Sequence, residues 1–486
     1  MGDASPIRSL QLGAYELLDA EAIATVHDRT LGILERVGIA LRSEGLLGRL
    51  GAAGVRVDLA AGRARFPPAL VEEALARAPR SYTLAARDPA RDLPLGVGRG
   101  YLALDGCAAE LIDLETGERR ASTTGDVAEI TRLADALPEI GFVWQPVAAR
   151  DVPPPAAPLH ELRAQLGATT KHIQLMTSVT PGAAEGTVAM ARLVAGGAAG
   201  LRARPIVSSF QCSVSPLAYE PRAMEAALVF AEAGVPAGFV VMPLAAATAP
   251  ATAAGVIVQA NAEVLAGIVM LQLLVPGAAT FYGTCPTVID IRTGAAAGGG
   301  PEDLLFQMAG AQMARRYGLP SSIGTFASGA RAADWQAGTE GALSVVASWL
   351  GGADMLCGAG LLHAAATHSS TELVLDAESF GLACRLSEGV RVSDEDLAVD
   401  LIESIGPGGH FLAERHTATH ARDIWRPTVF GRETVEAWEG SGRPSPSDRA
   451  RERARDILAS HEPPALDDSL AAELDRLVTA QTARLA

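Results

Sequence analysis

The sequence is poor in several residue types, and each shortage limits what the protein can be. Only 5 of its 486 residues are cysteine, and no two of them form a C-x-x-C pair. Thiols scattered in this way do not make a disulfide framework, which favours a reducing compartment such as the cytosol. Lys171 is the only lysine, and the formal net charge of -16 argues against nucleic acid as a partner, because phosphates would be repelled.

Long apolar segments are also scarce. The longest apolar stretch, 264–276, contains Gln272 and is too short to span a bilayer, so no membrane partner is expected. Residues 1–13 lack the apolar core of a signal peptide, and we therefore expect a cytoplasmic protein. What the chain does have is a hydrophobic fraction of 49% and 50 glycines, which is typical of an α/β enzyme with a large core.

The middle of the chain alternates short apolar segments with Ala-rich helical segments. Strands are predicted at 142–147, 172–177, 206–211, 238–242, 280–283, 322–326 and 354–358. Helices are predicted between them at 221–233, 254–273, 301–317 and 336–350. Repeated strand–helix units predict parallel strands joined by helical crossovers. The fold class is therefore α/β, and the number of repeats favours a TIM (β/α)8 barrel with one strand still unassigned.

Two extensions flank this predicted barrel. Residues 1–139 are predicted to form an N-terminal extension of helices and short hairpins, one of which joins strands at 101–104 and 111–114. Residues 140–392 are predicted to be the catalytic barrel, and residues 393–486 a C-terminal helical extension. The glycines at 96, 98 and 100 do not have the spacing of a dinucleotide-binding motif.

In a parallel barrel the reacting groups lie at the carboxyl ends of the strands and in the loops that follow. The substrate-binding candidates selected on this basis, together with one acidic residue in an apolar helix, are Trp144, Gln211, Tyr282, Phe326, Arg331, Trp335 and Glu263. The faces of aromatic rings attract a cationic N-methyl group by roughly 0.5–2 kcal/mol each. Glu263 is either paired structurally or part of the site. The set has neither the paired carboxylates of a glycosidase nor a nucleophile elbow, so no catalytic residue is assigned.

Several longer runs resemble the trimethylamine methyltransferase (MttB) superfamily. They are Ala-Thr-Ala-Ala-Gly at 251–255, Gln-Ala-Asn-Ala-Glu-Val-Leu-Ala-Gly at 259–267, Asp-Ile-Arg-Thr-Gly at 290–294, Pro301-Glu302, Asp-Trp-Gln-Ala-Gly at 334–338 with Glu340, and Gly-Pro-Gly-Gly-His-Phe-Leu at 406–412 with His416-Thr417. The resemblance covers roughly residues 15–478 and implies a TIM-barrel enzyme that methylates a separate corrinoid protein. The chain has only standard residues, so it is similar to the branch without pyrrolysine, which includes glycine betaine:corrinoid methyltransferase.

The resemblance implies a small methylated amine as methyl donor and a cobalamin-type corrinoid, carried by a partner protein, as acceptor. The chain itself has no D-x-H-x-x-G cobalamin motif. A quaternary, betaine-like donor is the simpler case, because its amine leaves neutral and needs no general acid. We expect Trp144, Phe326 and Trp335 to contact the nitrogen and Arg331 or Arg292 to bind a carboxylate. Family members tend to carry lysine at the position of Arg331. The corrinoid-facing candidates are Asp290, Arg292, Glu302, Gln336, His363 and His416.

Other mechanisms stay open at this point. Cys212, Cys285 and Cys357 fall near strand ends and could serve a zinc–thiolate methyltransferase, although they lack close ligand spacing and no metal site is assigned. An aldolase-type Schiff base at Lys171 is disfavoured, because that residue starts its predicted strand. A non-catalytic barrel that binds betaines is a third option. The sequence leaves the oligomeric state open, and a homo-oligomer is compatible with it.

Overall fold

The computed structural model describes residues 8, 10–11, 15–106, 108–175 and 179–485. At its centre, eight parallel strands close into a barrel, because the last of them pairs with the first. We number the barrel strands β1 to β8, and they are Arg99–Leu104, Ile140–Trp144, Ile173–Gln174, Val207–Cys212, Ala237–Val241, Tyr282–Thr284, Ser321–Gly324 and Met355–Ala359. This arrangement confirms the predicted TIM (β/α)8 barrel. The end of the predicted strand at 172–177, together with Cys107, lies outside the described residues.

The strand that the sequence pattern left unassigned is β1. The pattern predicts a hairpin between 101–104 and 111–114, but β1 pairs in parallel with β2 and β8. The next strand, Glu110–Ile112, pairs with Arg119–Ala121 instead. Asp105 therefore follows a barrel strand and does not belong to a hairpin turn. The barrel begins upstream of residue 140, where the sequence analysis places the start of the catalytic core.

Helices connect the strands on the outside of the barrel. They are Thr124–Ala136, Ala157–Ala168, Pro181–Val194, Ala198–Ala203, Pro221–Ala233, Ala253–Leu274, Pro301–Tyr317, Trp335–Gly351 and Ser370–Ser387. Pro221 and Pro301 fit the first helical turn, where no backbone donor is needed. Gly234 and Gly318 end the same helices in the left-handed conformation. These local signals explain why the predicted helices 221–233 and 301–317 have the observed bounds.

The helix Ala253–Leu274 belongs to the core. By length and composition alone it could cross a membrane, but 78% of its most apolar window is buried inside the protein. Its Asn261 donates to Thr30 Oγ1 at 2.8 Å and to Tyr317 OH at 2.9 Å. Its Gly267 allows close packing, since a Cβ there would lie 2.5 Å from the ring of Phe239. The apolar composition thus reflects burial on the barrel.

The two ends of the chain cover the barrel. The N-terminal part contributes the helices and strands Leu10–Gln11, Ala20–Arg36, Ile39–Ala40, Glu44–Ala52, Arg56–Asp58, Arg63–Arg65, Pro68–Arg77, Tyr82–Leu84 and Leu93–Leu95, with a short turn at Pro89–Arg91. The C-terminal part contributes the helices Asp394–Leu397, Val399–Ile405, Arg415–His420, Val435–Gly440, Pro446–Ser460 and Asp468–Leu485. The remaining elements are Pro154–Ala156, Leu244–Ala245, Thr287–Asp290, Ala295–Ala297, Leu361–Leu362 and Thr367–Ser369.

Candidate functional site

A cavity of about 360 Å³ opens above the carboxyl ends of β5 to β8. We call it the mouth cavity. Met242 follows β5, Cys285 follows β6, Phe326 follows β7, and Ala364 lies in the loop after β8, and all four line it. Its size suits a small ligand. Its position is where TIM-barrel enzymes hold their reacting groups, so it is the leading candidate for the active site.

Asp303 supplies a carboxyl group to this cavity from the first turn of the helix Pro301–Tyr317. Its Oδ2 accepts hydrogen bonds from Thr287 Oγ1 at 3.1 Å and from the backbone N–H of Gly299 at 2.8 Å. Its Oδ1 has no hydrogen-bond partner, although the residue is only 6% exposed. Burial raises the pKa of Asp303 to about 7, and the charges of Glu302 and Glu340 add to the effect.

A second carboxylate, that of Glu340, lines the same cavity from the helix Trp335–Gly351. Its Oε2 accepts from Ser328 Oγ at 2.6 Å and from the N–H of Gly329 at 2.9 Å. Its Oε1 accepts from Gln336 Nε2 at 2.8 Å. These donors fix the side chain in place but leave its negative charge without a cationic partner among them. Together, Asp303 and Glu340 make the cavity acidic.

Glycines bring the two carboxylates to the same wall. Gly299 has φ +79°, and a Cβ there would lie 2.5 Å from Glu340 Oε2. A Cβ at Gly298 would collide with the carbonyl oxygen of Ala327. Only residues without a side chain allow the loop to pass this close to Ala327 and Glu340.

Phe326 is the one predicted cage residue that lines the mouth cavity. It has φ +46° and is 2% exposed. Trp144 lies elsewhere, packed edge to face on Phe210 with ring centroids 4.6 Å apart. Trp144 Nε1 and Gln174 Nε2 are buried without hydrogen-bond partners at the ends of β2 and β3. The aromatic residues predicted at strand ends therefore do not form one cage around this cavity.

Three further substrate candidates are buried away from the mouth cavity. The hydroxyl of Tyr282 donates to Asn261 Oδ1 at 3.0 Å, in the layer between the barrel and its helices. Gln211 is fully buried, and neither of its amide atoms has a partner. Glu263 accepts hydrogen bonds from the side chains of Ser213 and Ser215 and from the N–H of Leu217, which lie in the loop after β4. Glu263 thus holds that loop in place.

The remaining substrate candidates, Arg331 and Trp335, are exposed near the mouth. The guanidinium of Arg331 donates to the carbonyl oxygen of Gly329, and the residue does not line the cavity. Trp335 is 88% exposed at the start of its helix. Neither side chain contacts the space beside Asp303 and Glu340.

Most of the predicted corrinoid-facing residues surround the rim. Asp290 and Arg292 pair at 2.9 Å on the hairpin whose strands contribute Thr287 and Ala296 to the cavity. Glu302 precedes Asp303 and is exposed. Gln336 lies in the first turn of the helix Trp335–Gly351 and donates to Glu340. His363 lies in the loop after β8, where its Nδ1 is 2.9 Å from Thr367 Oγ1.

His416 lies at the other end of the barrel. The helix Ser370–Ser387 starts on the mouth side and ends near Glu139, which directly precedes β2. The segment that follows it folds back beside this end, where Arg391 pairs with Asp423 at 3.7 Å. The ring of His416 packs at a tilt against that of His420 in this segment, with ring centroids 4.3 Å apart. The structure does not bring it to the mouth.

The cysteines named for a zinc–thiolate mechanism do gather inside the barrel. Burial raises the pKa of the Cys285 thiol, with added contributions from Asp105 and Cys212, so it stays protonated near neutral pH. Burial raises the pKa of Cys357 in the same way. Within the residues that the structure describes, no three His, Cys, Asp or Glu side chains are placed to hold a metal ion. The zinc–thiolate alternative therefore has no ligand set in this part of the chain.

Lys171 is buried at the amino-terminal end of β3. Its Nζ donates to the carbonyl oxygens of Ala134, Leu137 and Ile140 at 2.7, 2.8 and 2.6 Å. The amine is thus fully engaged on the side of the barrel opposite the mouth, which disfavours a Schiff-base role.

Little in the sequence pattern indicates that these two carboxylates belong to the site. Asp303 stands in the first turn of its helix, where acidic residues are common because they favour the helix dipole, and Glu340 stands in the second turn of another helix. Glu340 and the neighbouring Glu302 do occur in the runs that resemble a known family. That resemblance is the signal that could have pointed to this wall of the cavity.

Comparison with known proteins agrees with the barrel fold. The fold is similar to the solved structure of the monomethylamine methyltransferase MtmB of Methanosarcina barkeri, with a TM-score of 0.55 and 13% identity over 91% of this chain and 87% of that one. A sequence model of the family described as trimethylamine methyltransferase (MTTB) matches residues 3–486. The chain belongs to the MTTB family.

Two relatives in the MTTB family come from strains of Desulfitobacterium hafniense. The trimethylamine methyltransferase MttB of strain DSM 10664 / DCB-2 is 34% identical over 94% of this chain and 92% of the relative. The glycine betaine methyltransferase of strain Y51 is 32% identical over 96% of this chain and 97% of the relative. The protein is accordingly an MTTB-family enzyme of the methyltransferase class.

Proposed function

We propose that this enzyme transfers a methyl group from a small methylated ammonium compound to a corrinoid carried by a separate protein. The observation that carries the proposal is the acidic mouth cavity, which combines Asp303 and Glu340 with the ring of Phe326. Negative charge and an aromatic ring are the groups that attract a methylated ammonium ion. The names of the relatives, which act on trimethylamine and glycine betaine, support the same class of donor.

A quaternary nitrogen is the simplest donor for these residues. When its methyl group is lost, the amine departs uncharged, so the protein needs no acid to protonate it. What the protein must supply is a fixed orientation of the N–CH₃ bond and exclusion of water. The carboxylates hold the positive nitrogen, and Phe326 together with Met242 provides apolar walls.

A betaine-like donor, which adds a carboxylate, is the sequence-based expectation. Arg331 and Arg292, the residues expected to bind that carboxylate, both lie outside the mouth cavity. The clamp therefore requires a donor long enough to reach the rim. A donor panel with and without the carboxylate, described below, tests this expectation.

The corrinoid partner is proposed to dock on the mouth. Apolar side chains are exposed there after four strands, namely Val179 at 60%, Val214 at 56%, Ile291 at 81% and Trp335 at 88%. Exposed apolar residues grouped on one face are typical of a binding surface. A corrinoid bound there would supply a nucleophilic cobalt(I) centre next to the mouth cavity.

The decisive experiment incubates the full-length protein with cob(I)alamin and one methylated amine at a time. We expect consumption of cob(I)alamin, followed by its absorbance, with release of the matching demethylated amine, identified by mass spectrometry. Trp335→Ala should leave the reaction with free cobalamin unchanged and weaken it with the corrinoid protein at limiting concentration. Binding of amines without any demethylation would favour a non-catalytic sensor and would contradict the proposal.

We also propose that the enzyme works in the cytosol. Cys285, Cys357 and Cys384 are not in disulfides, which suits a reducing compartment. Fractionation of the producing cells, with detection of the protein in the soluble and membrane fractions, tests this location.

A further inference from the structure

We propose that the mouth cavity selects methyl donors that carry no negative charge, so that small quaternary ammonium ions without a carboxylate are preferred over betaines. This inference rests on the proposed function and narrows its substrate class. The residues that would impose the preference are Asp303 and Glu340.

The first observation is the sign of the charges around the cavity. Asp303 and Glu340 both line it, and among the described residues none of its lining side chains is basic. Glu340 is held by Ser328, Gly329 and Gln336, all of which are uncharged donors. A cation entering the cavity is attracted by two carboxyl groups, whereas the carboxylate of a betaine is repelled by the same two groups.

The second observation is the unsatisfied oxygen of Asp303. The residue is 6% exposed, lines the cavity, and its Oδ1 has no hydrogen-bond partner. A buried carboxyl oxygen without a partner costs free energy unless a ligand completes its environment. Asp135, another buried acid, differs in that its carboxylate is paired with Arg91 and His461. Asp303 Oδ1 therefore points to a cation, or to a hydroxyl group that donates to it.

The third observation concerns the arginines that a betaine would need. The side chain of Arg292 is 85% exposed and is paired with Asp290. The guanidinium of Arg331 is bound to the carbonyl oxygen of Gly329. Because each arginine is already engaged outside the cavity, neither offsets the repulsion between a donor carboxylate and the acidic wall.

The test measures binding directly, so it does not depend on methyl transfer. Tetramethylammonium, choline and glycine betaine are titrated into the full-length protein by calorimetry at about pH 8, where Asp303 is mostly ionised. We expect the Kd of tetramethylammonium and of choline to be lower than that of glycine betaine by roughly tenfold or more. Choline is included because its hydroxyl group can donate to Asp303 Oδ1.

Variants assign the preference to the two carboxyl groups. Asp303→Asn and Glu340→Gln should each weaken binding of tetramethylammonium by roughly tenfold, and the double variant should reduce its advantage over glycine betaine to less than about threefold. Asp456→Asn is the matched control, because Asp456 is an exposed acid on the helix Pro446–Ser460 and does not line the mouth cavity. It should bind all three compounds like the unmodified protein. Thermal unfolding of every variant checks that it is folded.

The outcomes separate this inference from the proposed function. Selective binding of the cations without demethylation would support the selectivity and contradict the methyltransferase proposal. Glycine betaine bound as tightly as tetramethylammonium, or an unchanged preference in the double variant, would overturn the selectivity whether or not methyl transfer occurs. Failure of all three compounds to bind would overturn it as well.

Discussion

Each end of the barrel buries an ionisable residue, and the two residues differ in how completely they are hydrogen-bonded. At the amino-terminal end, Lys171 Nζ is surrounded by the carbonyl oxygens of Ala134, Leu137 and Ile140. At the mouth, one oxygen of Asp303 is bound by Thr287 and Gly299, and the other has no partner. Burial lowers the pKa of Lys171 to about 7, yet the three hydrogen bonds of its amine leave no donor for a ligand. The free oxygen of Asp303, in contrast, is available to a ligand beside the cavity.

The largest expected effect is on the Lys171 side of this comparison. Lys171→Met removes three buried hydrogen bonds that the amine donates to carbonyl oxygens, so we expect the free energy of unfolding to fall by about 3–5 kcal/mol. Urea denaturation measures it. Arg453→Met, which changes an exposed helical residue, is the control and should differ from the unmodified protein by less than about 0.5 kcal/mol. A loss for Lys171→Met no larger than that of the control would break the comparison.

For Asp303 we expect the opposite sign, because removing its carboxyl group should raise the free energy of unfolding at neutral pH. Its pKa is raised to about 7 in the folded protein, from an ordinary value of 3.8, so the folded state holds a proton that the unfolded state has lost between these pH values. Its contribution to stability therefore falls as pH rises through this window and is constant above it. Asp303→Asn removes that penalty, and we expect the variant to gain on the order of 2 kcal/mol at neutral pH relative to acidic pH.

Urea denaturation of both proteins at several pH values measures the difference. Comparison with the unmodified protein is needed because burial also raises the pKa of Glu161 to about 7, which gives a similar slope in both proteins. A difference that does not change with pH would show that Asp303 is ionised throughout, contrary to its burial.

A smaller effect is expected on ligand affinity as pH changes. A quaternary cation binds the ionised form of Asp303, so the affinity for tetramethylammonium should rise with pH and level off above about 7. Below the pKa the rise approaches tenfold per pH unit as a limit. Calorimetric titrations across this range measure the profile, and Asp303→Asn should flatten it. A flat profile in the unmodified protein would separate Asp303 from cation binding.

The smallest effect is expected at the rim. Arg292 is exposed and paired with Asp290, so Arg292→Ala should change the affinity for glycine betaine by less than about twofold. A marked loss that is specific to glycine betaine would show that the arginine reaches the ligand, and it would favour the carboxylate clamp expected from the sequence.

Much of the barrel could be predicted, because its signals are local. Apolar runs of strand length alternate with helices whose ends are marked by proline and glycine, as in Pro221–Ala233 followed by Gly234. The sequence pattern misplaces the first barrel strand, because the role of that strand depends on its pairing with a distant part of the chain. Arg99–Leu104 becomes a barrel strand by pairing with Met355–Ala359, about half of the chain away. Its own residues do not indicate that pairing.

The site is harder to predict than the barrel, because the direction of each side chain matters as much as its position in the strand. Trp144, Tyr282 and Phe326 are all predicted at strand ends, yet only Phe326 lines the mouth cavity, while Tyr282 begins β6 and contacts Asn261. Successive strand residues point to opposite faces, so a shift of one residue decides between the interior and the helix layer. Asp303 lies beside Glu340 because of the path of the loop through Gly298 and Gly299, and the sequence does not specify that path.

The loop through Gly298 and Gly299 also limits how this enzyme can be redesigned. A side chain at either position would strike Ala327 or Glu340, so neither glycine can be replaced by a larger residue without moving the loop. Met242 stands among the other lining residues and is 39% exposed, which leaves it room to become larger or smaller. Directed evolution of donor size should therefore begin at Met242, because changes there leave the acidic wall intact.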